Sequence, residues 1–158
     1  MVTHADQLMR AGGLEDERVI ALLRGHLEDM AEHSSAEAMH ALDTCGLAHP
    51  AVSFWSAWLQ DELAGCIALK QLDVNHGEIK SMCTAQALRG RGIGRTMLQF
   101  VLAEAAARGY RRLSLETGSR AFFKPARQLY RSLGFDYCQP FADYPDDPSS
   151  AFMTRPLF

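Results

Sequence analysis

The sequence predicts an α/β (α+β) fold, with a mixed, mostly antiparallel sheet of about six to seven strands flanked by about four helices. Three β-prone runs, at 52–59, 63–72 and 78–84, are separated by short polar turns, which is typical of an antiparallel meander. A helical run then leads to a strand at 113–116, and a strand–helix–strand connection places its two strands in parallel. With 158 residues, 47% apolar and 22% charged, the chain 1–158 is expected to form a single domain.

Helical spacing and end signals predict the other elements. Apolar residues recur at helical spacing between 14 and 33, which predicts the first helix. Ser34 with Glu37 forms a capping box and predicts a second helix, which reaches Cys45 and ends at Gly46. The remaining predicted elements are an edge strand at 7–10, helices at 96–108 and 122–133, and strands at 135–139 and 151–157.

A glycine-rich basic turn stands between the third meander strand and the helix that follows it. It contains Arg89, Gly90, Arg91, Gly92, Ile93, Gly94 and Arg95. Glycines permit positive φ and a close approach of the backbone to a ligand. The first helical turn offers N–H groups without intrahelical partners, at the positive end of the helix dipole. The turn therefore predicts an anion site suited to phosphate.

The spacing of the glycines excludes two common phosphate loops. A P-loop and a dinucleotide fingerprint, each counted from Gly90, both require glycine at the position of Arg95. The spacing of Arg89, Gly92 and Gly94 fits Arg/Gln-x-x-Gly-x-Gly/Ala instead. A second motif, Ala-x-x-Leu-Tyr-x-x-x-Gly-Phe, occupies 126–135. Together, and in this order, the two motifs resemble those of the GCN5-related N-acetyltransferases (GNAT family), over residues 60–140 and less clearly over the whole chain.

The resemblance implies a fold, a reaction and a set of binding residues. The fold is the acyl-CoA N-acyltransferase fold, in which a β-bulge splays the parallel strand pair. The reaction is direct transfer of an acetyl group from acetyl-CoA, the co-substrate, to the amine of a small molecule or a peptide. The implied CoA-binding residues are Met82, Cys83 and Thr84 at the splay, the turn from Arg89 to Arg95, and Phe123 and Ala126. Phe123 departs from the family pattern, because many relatives carry Asn there.

Two residues are the candidates for catalysis. Tyr130 matches the family position of the acid that protonates the leaving thiolate, and the alternative is a core aromatic residue. Glu78, at the start of the strand before the turn, is the candidate base for the amine. The alternatives for Glu78 are a solvated strand-end carboxylate or an ion pair with Lys80. On the relatives' pattern, a main-chain amide near Met82 and Cys83 would polarise the thioester carbonyl.

The sequence gives fewer indications of where the acceptor amine binds. His26 and Met30 on the first helix are candidates to line it, with core packing or surface exposure as the alternative. Glu116 could bind a cationic substrate or pair with Arg120. The acidic, aromatic loop at 141–148 could form a lip for an amine, or could simply be solvated.

Charge and composition argue against several classes of partner. The net charge of −3 disfavours nucleic acid, and no apolar run approaches the length of a membrane span. The four scattered cysteines and the absence of paired histidines disfavour a disulfide framework or a metal site. With no signal-peptide pattern, the expected location is cytoplasmic. The apolar strands allow a homodimer. The alternative to an enzyme is a non-catalytic acyl-CoA sensor or interaction module on the same fold.

Overall fold

A computed structural model of the protein describes residues 8–33 and 44–157. Seven strands form one sheet in the order β1-β2-β3-β4-β5-β7-β6. The strands are β1 (Met9–Ala11), β2 (Val52–Leu59), β3 (Glu62–Asp73), β4 (His76–Thr84), β5 (Arg112–Gly118), β6 (Asp136–Tyr137) and β7 (Ser150–Pro156). The helices are α1 (Glu17–His33), α2 (Thr44–Leu47), α3 (Ile93–Ala107) and α4 (Lys124–Ser132), with 3₁₀ turns at Gln86–Leu88 and Ala121–Phe123.

The sheet confirms the predicted mixed topology. β1 to β4 pair antiparallel in sequence order, as do β5 with β7 and β6 with β7. β4 and β5 pair in parallel, and their register ends where Ile79 faces Leu115. Beyond this pair β4 continues to Thr84 without β5 beside it. The parallel strands therefore separate at their carboxyl ends and leave a gap in the sheet.

Helices cover the two faces of the sheet. On one face, α3 and α4 pack on a core that includes Ile67, Leu98 and Leu115, all almost completely buried. On the other face, α1 packs on a smaller cluster that includes Val19 and Phe54. Because side chains alternate along a strand, the residues next to Ile79 and Leu115 point to the α1 face. The two faces thus bury apolar side chains on both sides of the central strands.

Several predicted boundaries differ from the structure. α3 begins at Ile93 rather than residue 96, because Gly92 adopts φ 80° and serves as the N-cap. The helix predicted at 122–133 divides into a 3₁₀ turn and α4. The strand predicted at 135–139 pairs over two residues, 136 and 137. Most of the predicted second helix lies outside the described residues. No described helix is long and apolar enough to cross a membrane.

Candidate active site

The glycine-rich turn opens onto a long groove. Gly90 and Gly92 have φ of 82° and 80°, a backbone conformation that residues with a Cβ rarely adopt. Gly92 caps α3, so the main-chain N–H groups of the first turn have no partner within the helix. These amides and the positive end of the α3 dipole face the turn. The backbone of this turn thus has the donors and the open geometry that an anion site would need.

The groove brings together most of the residues that the sequence predicted for CoA. Its lining includes Met82, Cys83, Thr84, Arg89, Gly90, Gly92, Ile93, Gly94, Arg95, Phe123 and Ala126. Arg91 is the exception in the turn, because it is exposed and does not line the groove. The remaining lining residues come from α1, the 3₁₀ turn and α4.

Contacts between α3 and α4 hold the two motifs against each other. The Arg95 guanidinium donates to the Ser132 hydroxyl at 2.9 Å. A Cβ built on Gly94 would lie 3.1 Å from Leu129, so this glycine permits the close approach of the two helices. The third glycine of the turn therefore serves helix packing, while the first two provide the unusual backbone.

A β-bulge marks the gap between β4 and β5. Cys66 of β3 faces Cys83, whereas Ala68 faces Lys80, so two residues of β4 oppose one of β3. The bulge is at Ser81 and Met82, one residue before the predicted Met82 and Cys83, and Ser81 has φ 54°. The Ser81 hydroxyl is buried and has no hydrogen-bond partner among the described residues.

Two thiols flank the bulge. The Sγ atoms of Cys66 and Cys83 lie 3.5 Å apart, and the Cys66 thiol donates to the Ser81 carbonyl at 3.4 Å. The contact with Cys83, together with burial, raises the pKa of the Cys66 thiol. Cys66 therefore stays a neutral donor that supports the carbonyl of the bulge.

A second, smaller cavity continues from the groove through the gap. The two spaces share His26, Met30, Met82, Phe123 and Ala126 as lining residues. The second cavity, called the central cavity here, also contacts Glu78, Ile79, Lys80, Ser81, Leu115, Glu116, Thr117, Tyr130 and Tyr144. It holds both predicted catalytic residues and all three predicted substrate residues.

Glu78 lies at the base of the central cavity and is only 2% exposed. Its carboxylate accepts a hydrogen bond from the Tyr144 hydroxyl. It also forms an ion pair with Lys80, whose Nζ donates to Glu78 Oε2 at 3.3 Å. Lys80 Nζ also donates to the Tyr144 hydroxyl at 2.8 Å. Of the alternatives weighed for Glu78, the pairing with Lys80 is present and the solvated carboxylate is not.

Glu116 faces the same cavity from β5. Ser150 Oγ donates to Glu116 Oε2 at 2.9 Å, and no ion pair with Arg120 forms among the described residues. Burial raises the pKa of Glu116 to about 7, with Glu78 and Asp147 adding to the shift and Ser150 and Lys80 opposing it. Glu116 therefore exchanges a proton near neutral pH.

Tyr130 is on α4 and is 6% exposed. Its ring packs edge-on against Phe135 at 6.0 Å between centroids, so it is also part of the core. Burial raises the pKa of the phenol well above its ordinary value, and negative charge on Glu116 and Cys83 adds to the shift. The hydroxyl thus stays protonated while it borders the cavity.

α1 borders both the groove and the central cavity. His26 and Met30 line both spaces. Burial lowers the pKa of His26, and nearby Arg89 adds to this effect while Asp29 opposes it. At the end of α1, His33 stacks on Phe122 with ring centroids 3.8 Å apart. This stack joins α1 to the 3₁₀ turn on the other side of the groove.

The sequence did not single out two residues of the cavity. Tyr144 belongs to the acidic, aromatic loop that was noted, but its partner Glu78 is 66 residues away. Ser81 gave no signal, because a positive φ at serine leaves no mark in a sequence. In the described part of the chain, no cluster of three or more His, Cys, Asp or Glu could hold a metal ion.

Two bacterial proteins are similar to the chain over most of its length. An uncharacterized N-acetyltransferase of Bacillus subtilis, YsnE, is 54% identical over 144 residues, which cover 91% of this chain and 95% of the relative. An uncharacterized N-acetyltransferase of Escherichia coli, YedL, is 47% identical over 139 residues, which cover 88% and 87%.

A solved structure and a family profile agree with these matches. A Bacillus subtilis acetyltransferase solved in complex with CoA shares the fold with a TM-score of 0.68, at 16% identity, over 96% of this chain and 99% of that chain. The profile of the acetyltransferase (GNAT) family matches residues 14–135, which include the turn, the bulge and the second motif. The chain therefore belongs to the GNAT family, as an N-acetyltransferase whose co-substrate is acetyl-CoA.

Proposed function

We propose that the protein transfers the acetyl group of acetyl-CoA directly to the amine of a small molecule. One observation carries the proposal: the groove and the central cavity meet at the gap between β4 and β5. CoA in the groove would direct its thioester through the gap toward the cavity. An amine in the cavity would then reach the thioester carbon from the opposite side.

The phosphates of CoA would bind at the glycine-rich turn. The unpartnered amides of the first turn of α3 provide directional donors, and Arg89 and Arg95 add positive charge. Phe123 gives the pantetheine arm an apolar wall where many relatives carry Asn. These contacts would involve only the phosphates and the pantetheine arm of CoA, whatever the acceptor amine is.

The bulge and Tyr130 would act on the thioester. A β-bulge leaves an extra residue unpaired in the strand ladder, so an amide near Met82 or Cys83 can stabilise the oxyanion. Tyr130 would donate its proton to the sulfur as the carbon–sulfur bond breaks. Its raised pKa keeps the phenol protonated until that moment.

The size and polarity of the central cavity support a small acceptor. The cavity is smaller than the groove, and its lining mixes apolar side chains with a few polar groups, as small-molecule sites do. The unpartnered hydroxyl of Ser81 in its wall is a donor and acceptor for a bound molecule. Glu78 and Glu116 are the two carboxylates that could accept a proton from the amine. The alternative of a non-catalytic sensor is not favoured, since the relatives are named N-acetyltransferases.

An assay of CoA release tests the proposal. Free thiol is followed with a dye while the protein turns over acetyl-CoA with polyamines, amino sugars, amino acids or lysine-containing peptides. We expect amine-dependent release with at least one small amine, at a higher kcat/KM than with peptides. Release with peptides alone would contradict the small-molecule acceptor, and no release with any amine would contradict catalysis.

A further inference from the structure

The two carboxylates of the central cavity differ in how fully they are already engaged. Glu78 accepts hydrogen bonds from Lys80 and from Tyr144, and both donors are themselves part of one closed cluster. Glu116 accepts one hydrogen bond, from Ser150 to Oε2, and forms no ion pair among the described residues. Protonation of Glu78 would break its ion pair with Lys80, whereas protonation of Glu116 would break no ion pair among the described residues.

Their positions in the sheet differ as well. Glu78 faces Ser114 inside the parallel ladder, three positions before the bulge at Ser81. Glu116 follows Leu115, the last β5 residue that pairs with β4, and is the first β5 residue beside the gap. The thioester is expected in that gap, so Glu116 is the carboxylate closer to the bond-forming step. Glu116 also lines the same cavity as Tyr130.

We infer that Glu116, rather than Glu78, accepts the proton of the acceptor amine, and that Lys80 and Tyr144 hold Glu78 as a fixed anion. This inference rests on the proposed acetyl transfer. The inferred base, Glu116, lies on β5, whereas the base predicted from the sequence, Glu78, lies on β4 across the gap. Glu78 then acts as a positioning residue, which orients Lys80 and the Tyr144 loop.

The protons balance as follows. The acceptor enters as an ammonium ion, and Glu116 takes one of its protons. The neutral nitrogen then forms the C–N bond to the thioester carbon, and the electrons of the carbonyl move to its oxygen. When the oxyanion collapses, the C–S bond breaks and the sulfur takes the proton of Tyr130. The second nitrogen proton restores Tyr130, and Glu116 returns its own proton to solvent.

The surroundings of Glu116 suit this exchange. Its facing charged or titratable groups are Glu78 and Lys80 on β4, Tyr130 on α4, His26 on α1, and Tyr144 and Asp147 before β7. Burial is the main reason that the pKa of Glu116 is raised to about 7, near the pH at which a base works best. Once Glu116 is protonated, its charge no longer raises the pKa of Tyr130, so Tyr130 becomes a better acid.

The pH dependence of kcat/KM tests the assignment. The probe is the most active small amine of the panel, chosen with its own pKa above 9. For the unmodified protein we expect kcat/KM to rise up to about pH 7 and to stay level until the amine itself loses its proton. In Glu116→Gln we expect the rate to fall by about 10²–10⁴-fold. It should then rise up to the pKa of the amine, because only the free amine reacts.

Two further variants test the same assignment without altering Glu116. Glu78→Gln removes a negative charge that raises the pKa of Glu116, so the rise should move to lower pH. Ser150→Ala removes a hydrogen bond that lowers this pKa, so the rise should move to higher pH. A merely structural role for either residue would not move the profile in opposite directions.

The outcomes separate the assignment from the function it rests on. Loss of the rise near pH 7 in Glu78→Gln, with a normal profile in Glu116→Gln, would overturn the assignment alone. A calorimetric CoA affinity close to that of the unmodified protein confirms that each variant is folded. Absence of amine-dependent CoA release at every pH would overturn the proposed function, and the assignment with it.

Discussion

The groove beside the glycine-rich turn and the central cavity are adjacent but are built by different means. The groove depends on main-chain geometry, with two glycines at positive φ and the free amides of one helix turn. The central cavity depends on side chains from β4, β5, α4 and the loop before β7. Backbone chemistry suits a ligand that never changes, whereas side chains can vary with the acceptor. Changes in each region should therefore affect different steps.

Tyr130 lines the central cavity, and its removal should have the largest effect. In Tyr130→Phe we expect kcat to fall by about 10²–10⁴-fold, because the leaving thiolate loses its proton donor. The affinity for CoA, measured by calorimetry, should change by less than about twofold, since no phosphate contact is lost. A kcat close to that of the unmodified protein would show that Tyr130 is only a core residue.

The backbone of the turn should matter for binding. In Gly92→Ala the φ of 80° becomes strained by about 1–2 kcal/mol. A turn that relaxes from this conformation should bind CoA about tenfold more weakly. Gly109→Ala is a matched control, since Gly109 has φ 82° and open space around its Cβ position, away from the groove. Equal losses of CoA affinity in both variants would contradict a role for the turn.

Arginine side chains should contribute less than the backbone. In Arg89→Ala we expect CoA affinity to fall by about fivefold at low salt and by less at high salt, because an exposed charge is screened. Arg91→Ala is the control, since Arg91 belongs to the same turn but does not line the groove. Calorimetry at two salt concentrations compares them. A larger effect at Arg91 would place the phosphates elsewhere.

The smallest effect concerns the stability of the acceptor side. The pKa of Glu116 is about 7 in the folded protein, against about 4.3 for an ordinary glutamate. The folded state thus binds the proton more tightly, and the free energy of unfolding falls as the pH rises from about 4.3 to about 7. Glu116→Gln should therefore raise Tm at pH 8 by a few degrees, and not at pH 4. An equal change at both pH values would contradict a raised pKa.

The contrast between the regions also explains what the sequence could predict. Glycine spacing is local, so the turn and its helix were predicted correctly, apart from the start of the helix, which is at Ile93 rather than residue 96. The meander and the parallel pair follow from short turns and one crossover, and both were confirmed. The contact of Tyr144 with Glu78 depends on the path of an irregular loop, which no local pattern specifies. The shift of the bulge to Ser81 likewise depends on strand register.

A crystal structure with bound CoA tests the central claim most directly. The claim is that main-chain amides after Gly92 hold the diphosphate and that the thiol end lies in the gap between β4 and β5. We expect diphosphate oxygens within hydrogen-bond distance of the amides at 93–95, with the sulfur near the Tyr130 hydroxyl. CoA bound away from this turn, or with its sulfur outside the gap, would contradict the account.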